Sequence, residues 1–218
     1  MITLHHLDQS RSFRILWALE ELGLDYEIKF YHRQPNLSAP NELKLIHPLG
    51  KAPILTDSEQ TIAESAVILE YLQQHYDTQR QFKPQQASAQ QQAYQYWMHY
   101  AEGSLMPLLV MQLVMTNVPQ HVPWLVRPMA QKITAGVKAG FIQPRLKDHI
   151  AYLEDYLGKH DYFAGDFSFA DIQMGFPLQA LQSRTGHHYP QIAAYLARVE
   201  QRPAFQRARE REQQLMQI

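Results

Sequence analysis

The chain has 218 residues, of which 45% are apolar and 19% are charged, proportions that fit one large or two small folded domains. Its formal net charge of −1 leaves no basic surplus for nucleic acid, and no apolar stretch reaches the roughly 18 residues that span a bilayer. The N-terminus lacks a charged start followed by an apolar segment. We therefore expect no secretory signal, no nucleic-acid or membrane partner, and a cytoplasmic location.

The sequence contains no cysteine. Disulfides, thiolate metal ligands and protein-thiol redox chemistry are therefore excluded, and a small molecule would have to bring the sulfur for any thiol chemistry. The eleven histidines are scattered, and neither adjacent pair, His5-His6 or His187-His188, has a carboxylate at the spacing of a zinc hydrolase. We expect no bound metal.

The first half of the chain alternates between strand and helix patterns. Strands are predicted at 1–7, 26–31, 53–56 and 61–63, and helices at 12–22, 41–46 and 64–75. In the first helix, Phe13, Leu16 and Trp17 have helical spacing, and Gly23 is a natural stop. This βαβ–ββα order predicts an α/β fold with a small mixed sheet, whose first two strands are parallel and whose last two form an antiparallel hairpin.

The second half of the chain has an all-α pattern. A polar, glutamine-rich run that contains Pro84 occupies 77–89 and is typical of a linker. Helices are predicted at 89–116, from 124 to 136 or beyond, and at 144–157, 170–181, 189–201 and 203–218, with Pro107 kinking or interrupting the first. Ser168 and Asp171 have the spacing of a helix cap. We therefore predict an N-terminal domain at 1–79 and an all-helical domain at 88–218.

The turn after the first strand is the first candidate site. Ser10, Arg11 and Ser12 lie between a strand end and the start of a helix, where ligands of α/β proteins collect. The free N–H groups of a helix N-terminus stabilise an anion such as a thiolate, and a serine hydroxyl can donate to it as well. The alternative is that Ser10 or Ser12 only caps the helix, because capping uses the same geometry.

A proline before the third strand marks the second candidate site, in the segment from Lys51 to Ile54. A proline that begins a strand cannot donate to the ladder. A cis bond between Ala52 and Pro53 would present the backbone of Ala52 to a ligand in strand-like pairing. The alternative is an ordinary trans proline in a loop.

The third candidate site lies where the fourth strand leads into a helix. Glu64 and Ser65 occupy the first turn of that helix, where backbone N–H groups suit a carboxylate, the Ser65 hydroxyl adds a donor and Glu64 suits an ammonium group. Together they match the α-amino-acid end of a peptide. The alternative is a capped helix in which Glu64 favours the helix dipole.

The order of these features resembles one enzyme family. The segments LDQSRSFRILWALEELGLDYEI (7–28), HPLGKAPIL (47–55) and AESAVILEYLQQHY (63–76) look like the N-terminal domain of cytosolic glutathione S-transferases. The segments YWMHYAEGSLMPLL (96–109) and FAGDFSFADI (163–172) continue the likeness into the helical half. The similarity is to the serine-type fungal and bacterial subgroup with SRS and HPLGK motifs. It implies a thioredoxin-like N-terminal domain followed by an all-helical domain.

The resemblance also implies roles for the candidate residues. Ser10 corresponds to the hydroxyl that activates the glutathione thiol, with Ser12 as the alternative and Arg11 as a charge that helps to hold the thiolate. Glu64 and Ser65 correspond to the pair that binds the γ-glutamyl end. Ala52 or Ile54, on either side of a cis Pro53, would pair with the cysteinyl part, and Lys51 would meet the glycyl carboxylate.

The electrophile pocket is expected between the two domains. Candidate wall residues are Tyr100, Met106 and Leu109, although the same residues could simply be core. Glutathione is the expected co-substrate and a homodimer the expected assembly. The predicted function is conjugation of glutathione to small hydrophobic electrophiles in detoxification, with glutathione peroxidase activity as an addition. The alternatives are a glutathione-dependent isomerase or lyase, and a non-catalytic binding protein on the same fold.

Overall fold

The computed structural model of the chain describes residues 1–34, 36, 38–185 and 187–217. Pro35, Leu37, Gly186 and Ile218 lie outside the described residues, and the last two of them fall within the predicted helical domain.

The N-terminal half forms a mixed four-stranded sheet with helices packed against it. Its elements are β1 (Ile2–Leu7), α1 (Phe13–Leu22), β2 (Tyr26–Tyr31), α2 (Leu43–Ile46), β3 (Ile54–Asp57), β4 (Gln60–Ala63) and α3 (Ser65–His75). The strand order is β2-β1-β3-β4, with β1 parallel to β2 and antiparallel to β3, and with β3 antiparallel to β4. The predicted parallel pair and hairpin are confirmed, and the arrangement is thioredoxin-like.

The central strand and first helix are buried almost completely. All six residues of β1 are buried, as in a strand that is covered on both faces. Most of α1 is buried as well, including the polar side chains of Arg14 and Glu20. Gly23 ends the helix with φ of 63°, a left-handed conformation that glycine adopts without steric cost. The loop between β1 and α1 therefore connects two buried elements.

The helical half follows a connection at 76–88. Its helices are α4 (Ala89–Tyr100), α5 (Met106–Asn117), α6 (Arg127–Val137), α7 (Gln143–Leu157), α8 (Phe169–Thr185), α9 (Pro190–Glu200) and α10 (Pro203–Leu215). Among the described residues from 76 to 217, the only strand-like pairing is the bridge between Ala164 and Asp166. The prediction of an all-helical second half is therefore confirmed. Within the described ranges, no helix has both the length and the apolar character needed to cross a bilayer.

Two of these helices follow directly from a π-helical turn that precedes a proline. Ala101–Leu105 joins α4 to α5 ahead of Pro107, and Lys138–Ile142 joins α6 to α7 ahead of Pro144. Proline has no N–H for the carbonyl four residues earlier, and the first turn instead contains a bond from Met106 N–H to the Ala101 carbonyl, five residues back. The predicted disturbance at Pro107 takes the form of this π-helical turn, and α4, the turn and α5 follow one another without a gap.

The two halves share one hydrophobic core. The Trp17 ring of α1 packs against Phe167 and against Phe205 of α10, with ring centroids 5.6 and 5.0 Å apart. At the start of α8, Asp171 accepts hydrogen bonds from the backbone N–H groups of Ser168, at 2.8 Å, and of Phe163, at 3.0 Å. The half of the predicted Ser168–Asp171 cap that Asp171 makes is confirmed, whereas the Ser168 hydroxyl donates to Asp171 instead of accepting from its N–H.

Candidate active site

The turn between β1 and α1 brings the two candidate serines into contact. The Ser10 and Ser12 hydroxyl oxygens are 2.7 Å apart, and the backbone N–H of Ser12 donates to Ser10 Oγ over 3.1 Å. The Ser12 side chain makes no capping bond to α1. Instead, its oxygen accepts from the backbone N–H of Leu7 at 3.1 Å and lies 3.0 Å from the Leu7 carbonyl. Ser12 therefore faces the end of β1 rather than the helix.

Ser10 occupies the more accessible of the two positions. The Ser12 side chain is fully buried, whereas Ser10 lies where two cavities meet. The first, the Met106 cavity, has a volume of about 690 Å³, and its walls include Ser10, Arg11, Lys51, Ala52, Met106, Val110, Leu113 and Phe176. The second, the Glu212 cavity, has a volume of about 740 Å³, and its walls include Ser10, Phe13, Phe176, Leu196, Arg209 and Glu212. Of the two serines, only Ser10 can meet a molecule in either cavity.

A third cavity collects the remaining polar candidates. This Ser65 cavity has a volume of about 570 Å³ and is lined by residues that include Arg11, Lys51, Ala52, Pro53, Glu64, Ser65, Glu102 and Gln173. The peptide bond between Ala52 and Pro53 is cis, as the resemblance implied. Arg11, Lys51 and Ala52 line both this cavity and the Met106 cavity. The three sequence motifs thus converge on adjoining spaces.

The start of α3 has the features of a ligand site. Glu64 has φ of 72°, a left-handed conformation that costs a non-glycine residue about 1–3 kcal/mol and clusters at functional sites. The buried Ser65 hydroxyl finds no hydrogen-bond partner among the described residues, although it lines the cavity. A buried hydroxyl without a partner is costly. A ligand that accepts a hydrogen bond would remove that cost.

An ion-pair cluster borders the same cavity and joins the two halves of the protein. Glu102, in the π-helical turn after α4, accepts from Arg14 Nη1 at 2.6 Å and from Arg11 Nε at 2.9 Å. Burial opposes ionisation of Glu102, but the charges and hydrogen bonds of the two arginines outweigh it and lower the pKa of the carboxyl. Arg14 is buried, and its guanidinium lies 5.2 Å from the centre of the Phe176 ring. Arg11 therefore reaches the cavities with its charge partly balanced by Glu102.

Three predicted site residues lie away from the cavities described above. Ile54 belongs to β3, with Cα partners in both neighbouring strands, so Ala52 is left as the residue whose backbone lines the cavity. Tyr100 is buried against His149, and Leu109 is fully buried in the core. Tyr100 on α4 and Leu109 on α5 therefore belong to the core of the helical half.

Met106 does line a cavity, and residues that the sequence patterns did not single out accompany it. Val110, Leu113 and Phe176 supply the rest of the apolar wall. Gln173, on α8, has both polar side-chain atoms buried without a hydrogen-bond partner among the described residues, and it lines the Ser65 cavity. The one available signal for it was a glutamine between Ile172 and Met174, in the mostly apolar first half of α8. Among the residues that the structure describes, no cluster of three potential metal ligands occurs.

Family models match both halves of the chain. The model described as glutathione S-transferase, N-terminal domain, matches residues 1–74, and the model described as glutathione S-transferase, C-terminal domain, matches residues 121–210.

Individual proteins match over nearly the whole length. The chain is 38% identical to glutathione S-transferase 3 of Schizosaccharomyces pombe over 97% of this chain and 88% of that protein. It is 34% identical to glutathione S-transferase 1 of Saccharomyces cerevisiae over 97% of this chain and 95% of that one. A crystal structure of a glutathione S-transferase from Actinobacillus pleuropneumoniae superimposes with a TM-score of 0.80, at 33% identity, over 98% of this chain and 93% of that one. The chain therefore belongs to the glutathione S-transferase family of enzymes.

Proposed function

We propose that the chain binds glutathione across the Ser65 and Met106 cavities and transfers its thiolate to small apolar electrophiles. The observation that carries this proposal is the buried Ser65 hydroxyl, which has no hydrogen-bond partner among the described residues and lies beside Glu64 at the start of α3. This arrangement supplies donors for a carboxylate and an acceptor for an ammonium group. It suits the γ-glutamyl end of glutathione.

The rest of the tripeptide would extend along residues that the two cavities share. The backbone of Ala52, before the cis Pro53, would pair with the cysteinyl residue, and Lys51 would meet the glycyl carboxylate. This alignment would bring the sulfur towards Ser10, which lines the Met106 cavity. Arg11 would add positive charge near the sulfur, reduced by its ion pair with Glu102.

Ionisation of the thiol is the chemical task of such a site. A free thiol with a pKa near 8.5 is only a few per cent ionised at neutral pH, and each unit of pKa depression requires about 1.4 kcal/mol of preferential stabilisation of the thiolate. A hydrogen bond from Ser10 and the N-terminus of α1 together could supply roughly 2–3 kcal/mol. The bound thiol would then be largely ionised near pH 7.

The apolar wall of Met106, Val110, Leu113 and Phe176 would hold the electrophile beside the sulfur. Such a wall accepts aryl halides and organic hydroperoxides alike, so conjugation and peroxidase activity are both proposed. An isomerase or lyase would use the same thiolate. A panel of aryl halides and organic hydroperoxides separates conjugation from peroxidase activity.

We also propose a homodimer. Support comes from the side chains of Leu125, Met129, Ile133 and Val137, which are exposed and apolar and recur every fourth residue along one face of α6 and the turn before it. A sedimentation experiment at micromolar concentration tests this assembly.

The proposed function is tested by replacing Ser10. We expect wild-type protein to bind glutathione and the Ser10→Ala variant to bind it with a thiol pKa about 1–2 units higher, because one charge-assisted hydrogen bond is lost. The ultraviolet absorbance of the bound thiolate, followed against pH, measures this. Ser88→Ala, which removes a serine that caps α4 elsewhere, is the control and should leave the titration unchanged. Absence of glutathione binding by the wild type would overturn the proposal.

A further inference from the structure

A line of buried polar groups runs from Ser10 into the interior of the protein. Ser10 Oγ is 2.7 Å from Ser12 Oγ, which is 2.8 Å from Nδ1 of His6 on β1. On the other side of the ring, His6 Nε2 is 3.3 Å from Oε1 of Glu212, on α10. The His6 side chain is fully buried, and that of Glu212 is 6% exposed. A cavity-facing hydroxyl is thus connected to a buried imidazole and a buried carboxylate.

A carboxylate faces the imidazole on the side away from Ser12. The 3.3 Å approach to Glu212 is an electrostatic contact that is not aligned as a hydrogen bond, and Nε2 has no other partner among the described residues. Arg209, from α10, donates to the other carboxylate oxygen of Glu212 at 2.9 Å. The β2 side of His6 is covered by the ring of Phe30, with centroids 5.6 Å apart. The imidazole therefore lies between a hydroxyl at Nδ1 and a carboxylate at Nε2.

We propose that His6, held by Glu212, takes up the proton that the bound thiol loses, through Ser12 and Ser10. The sulfur–hydrogen bond breaks and its proton passes to Ser10 Oγ, while the Ser10 proton passes to Ser12 Oγ and the Ser12 proton to His6 Nδ1. Each oxygen gains one proton and loses one, so the products are a thiolate and an imidazolium. This inference rests on the proposed function, because it needs glutathione at Ser10.

The direction of the hydrogen bonds supports this route. Each hydroxyl has one proton to donate, so Ser10 can donate to sulfur only when it does not donate to Ser12. With a proton on Nδ1, His6 donates to Ser12, Ser12 turns its own proton from the Leu7 carbonyl to Ser10, and Ser10 donates to the thiolate. Without that proton, Nδ1 accepts from Ser12 and the line points inward. Protonation of His6 and stabilisation of the thiolate are therefore coupled.

The arrangement is not required to hold the turn in place. Without His6, the Ser12 hydroxyl would still accept from the backbone N–H of Leu7 and donate to the Leu7 carbonyl. A buried charged pair contributes little to stability compared with apolar residues of the same size. An imidazole between a hydroxyl and a carboxylate is, by contrast, the arrangement by which serine hydrolases move a proton. Glu212 and Ser12 would act here as positioning residues.

The test uses two variants that keep hydrogen bonding but lose the ability to store the proton. In His6→Asn, the side-chain amide can still reach Ser12, and in Glu212→Gln the amide can still meet Arg209. We expect both to raise the pKa of the bound thiol by about one unit, so that the ratio of thiolate to thiol at a given pH falls about tenfold. Binding of S-methylglutathione, which has no thiol proton, should be unchanged.

Matched controls separate this effect from a general loss of buried polar groups. His5→Asn changes the neighbouring buried histidine, which contacts Tyr31 instead of Ser12. Glu20→Gln changes another buried carboxylate, which forms ion pairs with Arg207 and Arg211 of α10. Both controls should leave the titration of the bound thiol as in the wild type.

A measurement on the wild type keeps the inference testable if the variants fail to fold. In nitrogen NMR of histidine-labelled protein, glutathione should convert the His6 ring to its doubly protonated form near neutral pH, and S-methylglutathione should not. The inference is overturned if the wild type binds and ionises glutathione while the His6 ring stays singly protonated. It is equally overturned if folded His6→Asn and Glu212→Gln titrate as the wild type does. Failure of the wild type to bind glutathione would instead refute the proposed function.

Discussion

Ser65 is the residue at which stability and binding are expected to oppose each other. Its hydroxyl is buried at the start of α3 and has no hydrogen-bond partner among the described residues. An unpartnered buried hydroxyl destabilises a folded chain, whereas a hydrogen bond from it to a ligand carboxylate stabilises the complex by about 1.5–3 kcal/mol. Under the proposed function, this hydroxyl contributes to binding of the ligand and not to the stability of the fold.

We therefore expect Ser65→Ala to weaken glutathione binding by roughly tenfold to a hundredfold and to leave the free energy of unfolding unchanged or slightly higher. Calorimetric titration and urea denaturation measure the two effects. Ser88→Ala should leave glutathione binding unchanged and lower the free energy of unfolding by about 1 kcal/mol, because it removes a helix cap outside the candidate site. A Ser65→Ala variant that binds glutathione normally would contradict the role proposed for this hydroxyl.

At the scale of single elements, the start of α8 depends on one buried acid. Asp171 is fully buried and accepts hydrogen bonds from Phe163, Ser168 and Tyr195. Burial raises the pKa of the Asp171 carboxyl to about 6, although these hydrogen bonds act in the opposite direction. The cap therefore makes the stability of the helical half depend on pH.

Between pH 3.8 and about 6, the folded carboxyl holds its proton while the unfolded one has lost it. Unfolding then releases a proton, so we expect the free energy of unfolding to fall as pH rises through this range, by roughly 3 kcal/mol in total from this group. Asp171→Asn has no carboxyl to titrate at this position. The difference in free energy of unfolding between the variant and the wild type should therefore change with pH only between pH 3.8 and about 6. Urea denaturation at successive pH values measures it, and parallel profiles for the two proteins would contradict the prediction.

At the scale of the whole molecule, an ion-pair cluster and a shared core hold the two halves together. Glu102 of the helical half binds Arg11 and Arg14 of the N-terminal half, and the Arg14 side chain is only 1% exposed. Burial lowers the pKa of Arg14 to about 10, against the opposing effect of Glu102. Removing Glu102 would leave a buried guanidinium without its carboxylate.

We expect Glu102→Gln to lower the free energy of unfolding by about 2–4 kcal/mol, since breaking a buried ion pair leaves one charge uncompensated. Asp155→Asn breaks the exposed pair with Lys159 on α7, whose side chains are both more than half exposed, and should cost no more than about 0.5 kcal/mol. Urea denaturation of both variants provides the comparison. Equal losses would show that Glu102 does not join the two halves energetically.

The sequence by itself determined the order of elements and the position of Ser10, Lys51, Ala52, Glu64 and Ser65 on the cavities. These features are local, because a strand end, a turn and a helix start bring neighbouring residues to one edge of the sheet. The predicted domain limits of 1–79 and 88–218 and the roles of the site residues remain predictions.

Only the tertiary structure decided which side chains face the cavities from elsewhere in the chain. Tyr100 and Leu109 are buried in the core of the helical half, and Ile54 is buried in the sheet as part of β3. Gln173 on α8 and Glu212 on α10 reach the sites of Ser65 and Ser10 from the far end of the chain. Helical spacing predicts that one face is buried, but the choice between core and cavity depends on how helices distant in sequence pack against each other.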